Sequence, residues 1–177
     1  ADVEQVRARL GDFNHGGTFS HHAVGAAAGL ATLRIMQRER LVENSAAMGE
    51  LMGVGLREAL ADHPHVGDIR GRGLFWGLEL VQDRATKQPY AKKQGVVHRV
   101  TDRAFEKGLI AYHSVGCADG VNGDVVMLGP PLIVNEAQVA EMVTLLAEAI
   151  QDVCSKATCR RCTSRCSATY YQLRPQE

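Results

Sequence analysis

His63-Pro64-His65-Val66-Gly67-Asp68-Ile69-Arg70-Gly71-Arg72-Gly73-Leu74-Phe75-Trp76-Gly77-Leu78-Glu79-Leu80-Val81 is the stretch whose reading decides the fold. Proline at 64 stops the helix before it, because its ring removes an N–H and blocks the preceding turn. Val66 to Gly73 then reads as a turn-rich entry, and Leu74–Val81 as the strongest strand in the chain. Upstream, Leu41–Ala61 reads as a helix with Leu51, Val54 and Leu60 on its apolar side. A helix over His21–Arg38, with Ser20 as the expected N-cap, precedes it, and residues 1–11 have helical character until Gly11. Downstream, Asp83–Tyr90 is a polar loop and Lys92–Lys107 a helix ended by Gly108 as its C′ residue. Short strands Leu109–His113 and Asp124–Leu128 flank a loop rich in Gly, Ser, Asn and Asp. Asn135 caps the last helix with Gln138 completing a capping box, and Val139, Met142, Val143, Leu146, Ala149, Ile150 and Val153 form its apolar stripe. The expected class is α+β: a sheet of about three strands with covering helices.

The 177 residues suffice for one ordinary domain, and 45% hydrophobic content is enough for a core. Twenty basic residues against twenty acidic ones argue against a nucleic-acid or anionic-membrane binder acting through bulk charge. The longest apolar stretch, Ala23–Leu33, is about half a membrane span and ends at Arg34. No secretory signal pattern opens the chain. It starts at Ala1 and reads as part of a longer, cytoplasmic protein. The average hides a break: residues 1–153 hold 15 Lys and Arg against 19 Asp and Glu, whereas residues 154–177 hold five against one. Four of the five cysteines, Cys154, Cys159, Cys162 and Cys166, also sit in that last stretch.

Three groups of residues suggest chemistry. Gly16-Gly17-Thr18 ahead of an alanine-rich helix suits an anion, since glycines let backbone N–H groups approach, Thr18 adds a hydroxyl and a helix N-terminus adds positive potential. An ordinary loop and cap is the competing reading, and no Gly-Lys-Ser/Thr follows to make a P-loop. Arg70 and Arg72 suit a carboxylate, although pairing with Asp68 or Glu79 is the favoured role. The spacing Cys154-x4-Cys159-x2-Cys162-x3-Cys166 fits a metal site or a non-native end. No His-x-x-x-His and no Gly-x-Ser-x-Gly is present, so metallohydrolase and serine-hydrolase readings are poor. The helix over 21–38 carries Gly25 and Gly29, each costing about 1 kcal/mol against Ala. Close approach of another element is the expected compensation.

Four blocks in order carry a resemblance: Gly16-Gly17-Thr18-Phe19-Ser20 with its Ala-rich helix, His63 to Leu74, Glu79-Leu80-Val81-Gln82-Asp83, and Gly129-Pro130-Pro131-Leu132-Ile133-Val134-Asn135-Glu136. Residues 11–153 resemble the C-terminal part of a class III, pyridoxal-phosphate-dependent aminotransferase of the aspartate aminotransferase superfamily (fold type I). The resemblance implies that residues 1–61 are the end of a large domain with connecting interface helices. It implies that 62–153 form the small C-terminal α/β domain; the tail 154–177 lies outside it and is expected to be disordered or non-native. It implies pyridoxal 5′-phosphate as cofactor, with Gly17 and Thr18 holding its phosphate across a homodimer interface. It also implies that the Tyr112–Asp124 loop closes over the substrate.

Two departures shape the functional expectation. The family's Schiff-base lysine and its aspartate near the pyridine nitrogen lie upstream of the Gly-Thr block, and nothing before Gly16 holds them. Lys87, Lys92, Lys93, Lys107 and Lys156 all lack the family context, so no catalytic residue is assigned. Some members carry an arginine three residues before the Pro-Pro pair for the substrate carboxylate; Met127 stands there, which favours amine or ω-amino-acid donors. The expected activity of the intact enzyme is transfer of an amino group from an amine or amino acid to a keto acid, with this chain inert alone. The alternative is a non-catalytic remnant or split-gene partner, a dimerisation module that pairs with a missing N-terminal half and carries a metal-binding Cys tail.

Overall fold

The computed structural model describes residues 3–11 and 16–157. They divide into two compact units, residues 1–40 and residues 41–177. The first holds α1 (Val3–Leu10) and α2 (Ala23–Arg38). The second holds α3 (Leu41–Leu60), β1 (Val66–Arg72), β2 (Phe75–Asp83), β3 (Gln88–Pro89), a 3-10 turn at Lys92–Gln94, α4 (Val96–Glu106), β4 (Tyr112–Val115), β5 (Asp124–Leu128) and α5 (Glu136–Ala157).

The α+β class holds, with a larger sheet than expected. Four antiparallel strands run in the order β1-β2-β5-β4, and the short β3 pairs with β2. The extra strands are Gln88–Pro89, inside the expected polar loop Asp83–Tyr90, and Val66–Arg72, read as a turn because of its glycines. Those glycines make room instead: a Cβ at Gly67 would lie 2.7 Å from Val81 Cγ1, and one at Gly71 would overlap Trp76. The turn itself is Gly73-Leu74, where Gly73 has φ +53.

Alternation along β2 and β5 sorts the sheet into two faces. Trp76, Leu78, Leu80, Val126 and Leu128 are buried beneath the helices. They join Met48, Met52, Leu56 and Leu60 of α3, Val97, Val100 and Ala104 of α4, and Val139, Leu146 and Ile150 of α5 in one core. The apolar stripe of α5 is therefore as expected, but that of α3 is not. Leu51 and Val54 are exposed, and the buried row is Met48-Met52-Leu56-Leu60. Gly49 and Gly53 decide the face, because they bring α3 against the β1–β2 turn: an added Cβ at Gly49 would overlap the Gly73 carbonyl, and one at Gly53 the Trp76 ring.

Helix ends follow local chemistry. Asn135 and Gln138 exchange bonds at the start of α5, each side-chain oxygen accepting the other's backbone N–H at 3.0–3.1 Å. Gly108 (φ +93) ends α4. The expected single helix over Lys92–Lys107 is broken at Gly95 (φ +55), which separates the 3-10 turn from α4. Gly95 has no side chain to cap α4, and Asp124 of β5 does so across the fold, accepting from Val97 N at 3.2 Å. The strand expected at Leu109–His113 starts three residues later, since Leu109 N donates back to Ala104 O and belongs to the helix end.

Candidate functional site

Gly16, Gly17 and Thr18 precede a turn that leads into α2. Ser20 does not cap that helix. Its Oγ accepts from Gly17 N at 3.0 Å while its own N–H donates to Gly17 O at 2.9 Å, which closes the turn behind it. His21 follows with φ +62, and His22 is the N-cap, its Nδ1 accepting from Gly25 N at 3.0 Å. A histidine cap leaves no negative charge at the helix start, and the first turn holds no acidic residue. Thr18 is exposed, and among the described residues its hydroxyl and amide take no partner. Gly17 offers open space, with only Ser20 Oγ (3.8 Å) near a built Cβ. The loop thus has what an oxyanion needs: free donors, small residues and an uncompensated helix end. A phosphate ester fits this donor set.

The helix behind it buries nothing. Val24 is 73% exposed and Leu33 59%. Among the described residues the close approach expected at its two glycines is not made, since a Cβ at Gly29 would meet nothing within 4 Å and one at Gly25 only the His22 side chain.

The second unit presents a bare sheet face. Arg70, Gly77, Met127 and Tyr112 lie in one row across all four strands by register. Gly77 leaves a hollow at its centre, where a Cβ would sit 3.5 Å from Val125 Cγ1 and 3.9 Å from Met127 Cγ. The two arginines part company. Arg70 Nη1 donates to Asp68 Oδ2 at 2.6 Å, the favoured structural role, whereas Arg72 is exposed beside the hairpin turn and takes no ion-pair partner among the described residues. Sequence reasoning missed Tyr112 as a neighbour of Met127, although strand alternation with pairing to β5 was the available signal. Beyond the sheet edge, an apolar cleft of about 740 Å³ opens between Gly108–Ile110, Gly129–Pro131 and the start of α5. Asn135 and Gln138 line it, but their oxygens are committed to the capping box.

Among the described residues no group of three or more His, Cys, Asp or Glu is placed to hold a metal ion. Cys154 is fully buried in α5, and burial pushes its thiol up to about 11, the reverse of what a ligand or nucleophile needs. Cys159, Cys162 and Cys166 lie outside the described residues. Lys107, one of the five lysines, is committed to Glu148 at 2.6 Å.

The sequence profile of the class-III aminotransferases matches residues 2–150. The chain belongs to the class III aminotransferase family. Among relatives of this aminotransferase chain, an uncharacterized aminotransferase of Schizosaccharomyces pombe is 41% identical over 133 residues, covering 75% of the chain and 29% of the relative. The taurine–pyruvate aminotransferase of Bilophila wadsworthia is 38% identical over 136 residues, covering 77% of the chain and 29% of the relative. The solved structure of the ω-transaminase from Pseudomonas jessenii in complex with PMP superposes with a TM-score of 0.68 at 40% identity, over 86% of this chain and 32% of that one. The chain thus spans roughly a third or less of the length of these aminotransferases. No described helix is long and apolar enough to cross a membrane.

Proposed function

We propose that this chain is the C-terminal part of a pyridoxal-phosphate-dependent transaminase that moves an amino group from an amine or amino acid to a keto acid. The observation that carries the reading is Thr18 beside Gly17, without a partner among the described residues and close in sequence to the uncompensated start of α2, in a chain of this family. When bound, pyridoxal 5′-phosphate supplies the electron sink for the amino group's transfer. The protein's part is to hold and orient it. Thr18 donates its hydroxyl and amide to the phosphate, Gly17 admits the close approach, and the α2 N-terminus supplies positive potential. The PMP named in the P. jessenii structure, read as pyridoxamine phosphate, supports this cofactor class. On this reading α2 packs in a homodimer and the phosphate is shared between subunits.

The bare sheet face is the substrate side. Met127 stands in its central row and Arg70 is held by Asp68, so neither of these positions offers a free guanidinium to an α-carboxylate. Amines and ω-amino acids are the donors that suit such a face, and the taurine–pyruvate relative supports that class. The loop between β4 and β5 borders the face and closes over it. The chain alone is inert, because none of its lysines stands in the Schiff-base context.

The test is a spectrophotometric titration of the purified chain with pyridoxal phosphate, then borohydride reduction and peptide mass spectrometry. The expected result is no specific lysine adduct, with cofactor absorbance appearing only on co-expression with an N-terminal portion of the family. A stoichiometric adduct at one lysine of the chain alone would overturn the reading.

A further inference from the structure

Asn122 and Gly123 occupy the end of the loop between β4 and β5, where two demands coincide. Gly123 has φ +101, and a Cβ there would lie 2.7 Å from Ala118 N, so glycine is required. Asn122 staples the loop from both sides. Its Nδ2 donates to Asp119 Oδ2 at 2.9 Å, its Oδ1 accepts from Lys92 N at 3.2 Å, and its own N–H donates to Asp119 Oδ1 at 2.6 Å. The bond between the two residues is therefore an Asn-Gly junction whose glycine the loop cannot exchange.

We propose that Asn122 is a latent self-modification site, held unreactive by this loop and converted to aspartate or isoaspartate when the loop opens. The Gly123 backbone nitrogen, having lost its proton to solvent base, attacks Asn122 Cγ. An N–Cγ bond forms, the Cγ–Nδ2 bond breaks, and Nδ2 leaves as ammonia after taking a proton. Water then opens the five-membered imide at either carbonyl, giving the normal or the isomerised acid. No redox partner is needed. Glycine favours the step because no Cβ shields its nitrogen.

The fold blocks each participant. Gly123 is buried and its N–H donates to Tyr90 O at 3.3 Å. The departing Nδ2 is bound to Asp119, and Asn122 O accepts from Ala118 N at 3.0 Å. After conversion the staple works in reverse. A new carboxylate faces that of Asp119 where a donor stood, and the isomerised form lengthens the main chain by one methylene just before β5. Asp124, the next residue after Gly123, pairs with Val115 and caps α4. The junction therefore acts as a one-way record of loop opening, with damage delivered to the β4–β5 pairing.

The experiment incubates the 177-residue chain in mildly alkaline buffer, with and without urea, and maps the gain in mass and isoaspartate at Asn122 by fragmentation mass spectrometry. Asn135, followed by Glu136, is the internal reference. We expect conversion at Asn122 at least about tenfold slower in the folded chain than in urea, the ratio that about 1.4 kcal/mol of local opening produces. Asp119→Ala raises the folded-state rate severalfold and leaves the rate in urea unchanged. Asp119→Asn, which keeps the size of the side chain, gives a smaller rise in the same direction. Equal rates with and without urea would overturn the proposal, as would a denatured chain that forms no isoaspartate at Asn122. Exchange of the Gly123 amide supplies the independent measurement: it must accelerate in the Asp119 variants in step with conversion, and failure to do so would equally refute the lock.

Discussion

Gly49→Ala tests the packing that sets the face of α3. In an open helix the change stabilises by about 1 kcal/mol, because alanine restricts the unfolded backbone and suits the helix. Here the new Cβ would overlap the Gly73 carbonyl and come within 2.6 Å of Gly73 Cα. The obstacle is main chain in a tight turn, so it cannot swing aside. Trp76 Nε1 donates to that same carbonyl at 2.8 Å, which ties the turn to the core. Overpacking against such a fixed group costs about 1–3 kcal/mol, at the upper end where backbone must move. The net expectation is destabilisation by about 1–2 kcal/mol, a fall in Tm of roughly 4 °C per kcal/mol for a unit of this size. Gly53→Ala should behave alike, since its obstacle is a Trp76 ring buried under Arg57, whose guanidinium lies 4.9 Å from the ring centroid. Gly29→Ala on α2 is the control: with nothing within 4 Å it should raise helix content in the chain alone. Far-UV circular dichroism gives the melts. The single tryptophan, Trp76, reports the turn by fluorescence. A Gly49→Ala chain as stable as the parent would refute the close approach.

The remaining expectations concern charge and reactivity. Burial pushes the Asp124 carboxyl up, so the folded state holds its proton more tightly than the unfolded chain and this term weakens stability as pH rises through the folded value. Asp124→Asn keeps an acceptor for Val97 N without the buried charge; urea melts at neutral pH should show it no less stable than the parent, and the advantage should shrink in acid. His63 and His113 are held below 6.5, first by burial and then by the neighbouring His65 and His98 respectively. The unfolded chain therefore protonates first, and stability present above that value is lost as pH falls below it. Replacing both by Gln should flatten the stability profile between neutral and mildly acidic pH. Cys117 is exposed and Cys154 buried with its thiol at about 11, so brief alkylation of the folded protein should label Cys117 and spare Cys154 until urea is added.

Features written in local chemistry were legible in the sequence. The capping box at Asn135 and Gln138, the stop at Gly108, the α5 stripe and the Arg70–Asp68 pairing need only neighbours a few residues apart. Readings failed where a distant partner decided the outcome. Val66–Arg72 looked like turns until β2 lay beside it with Trp76 and Val81 filling the space at Gly71 and Gly67. The α3 stripe could be drawn through Leu51 or through Met52, and only the approach of Gly73 to Gly49 selects the second. Ser20 was the better cap by propensity, yet its oxygen was already committed to Gly17, and His22 took the position. At the candidate site the small, donor-bearing composition of Gly16-Gly17-Thr18 was visible. The row that joins Met127 to Tyr112 was not, because it spans strands separated by a loop whose register no local pattern fixes.

The two small-residue helices sharpen this distinction. In α3, glycines that weaken the helix are offset by a turn and an indole that could not otherwise come so close. In α2, Gly25 and Gly29 carry the same cost with no element close to them among the described residues, and apolar residues such as Val24 and Leu33 are exposed beside them. A sequence retains such a helix at a cost of about 2 kcal/mol only where something else occupies its surface. This chain spans roughly a third or less of the length of its aminotransferase relatives, and the free donors of Thr18 lie at the N-terminal end of that same surface. On the proposed reading the helix and the loop belong to one requirement, in which a partner that covers the small residues would also bring its own groups to the anion that Thr18 would hold. Cofactor binding and assembly should therefore be lost or gained together.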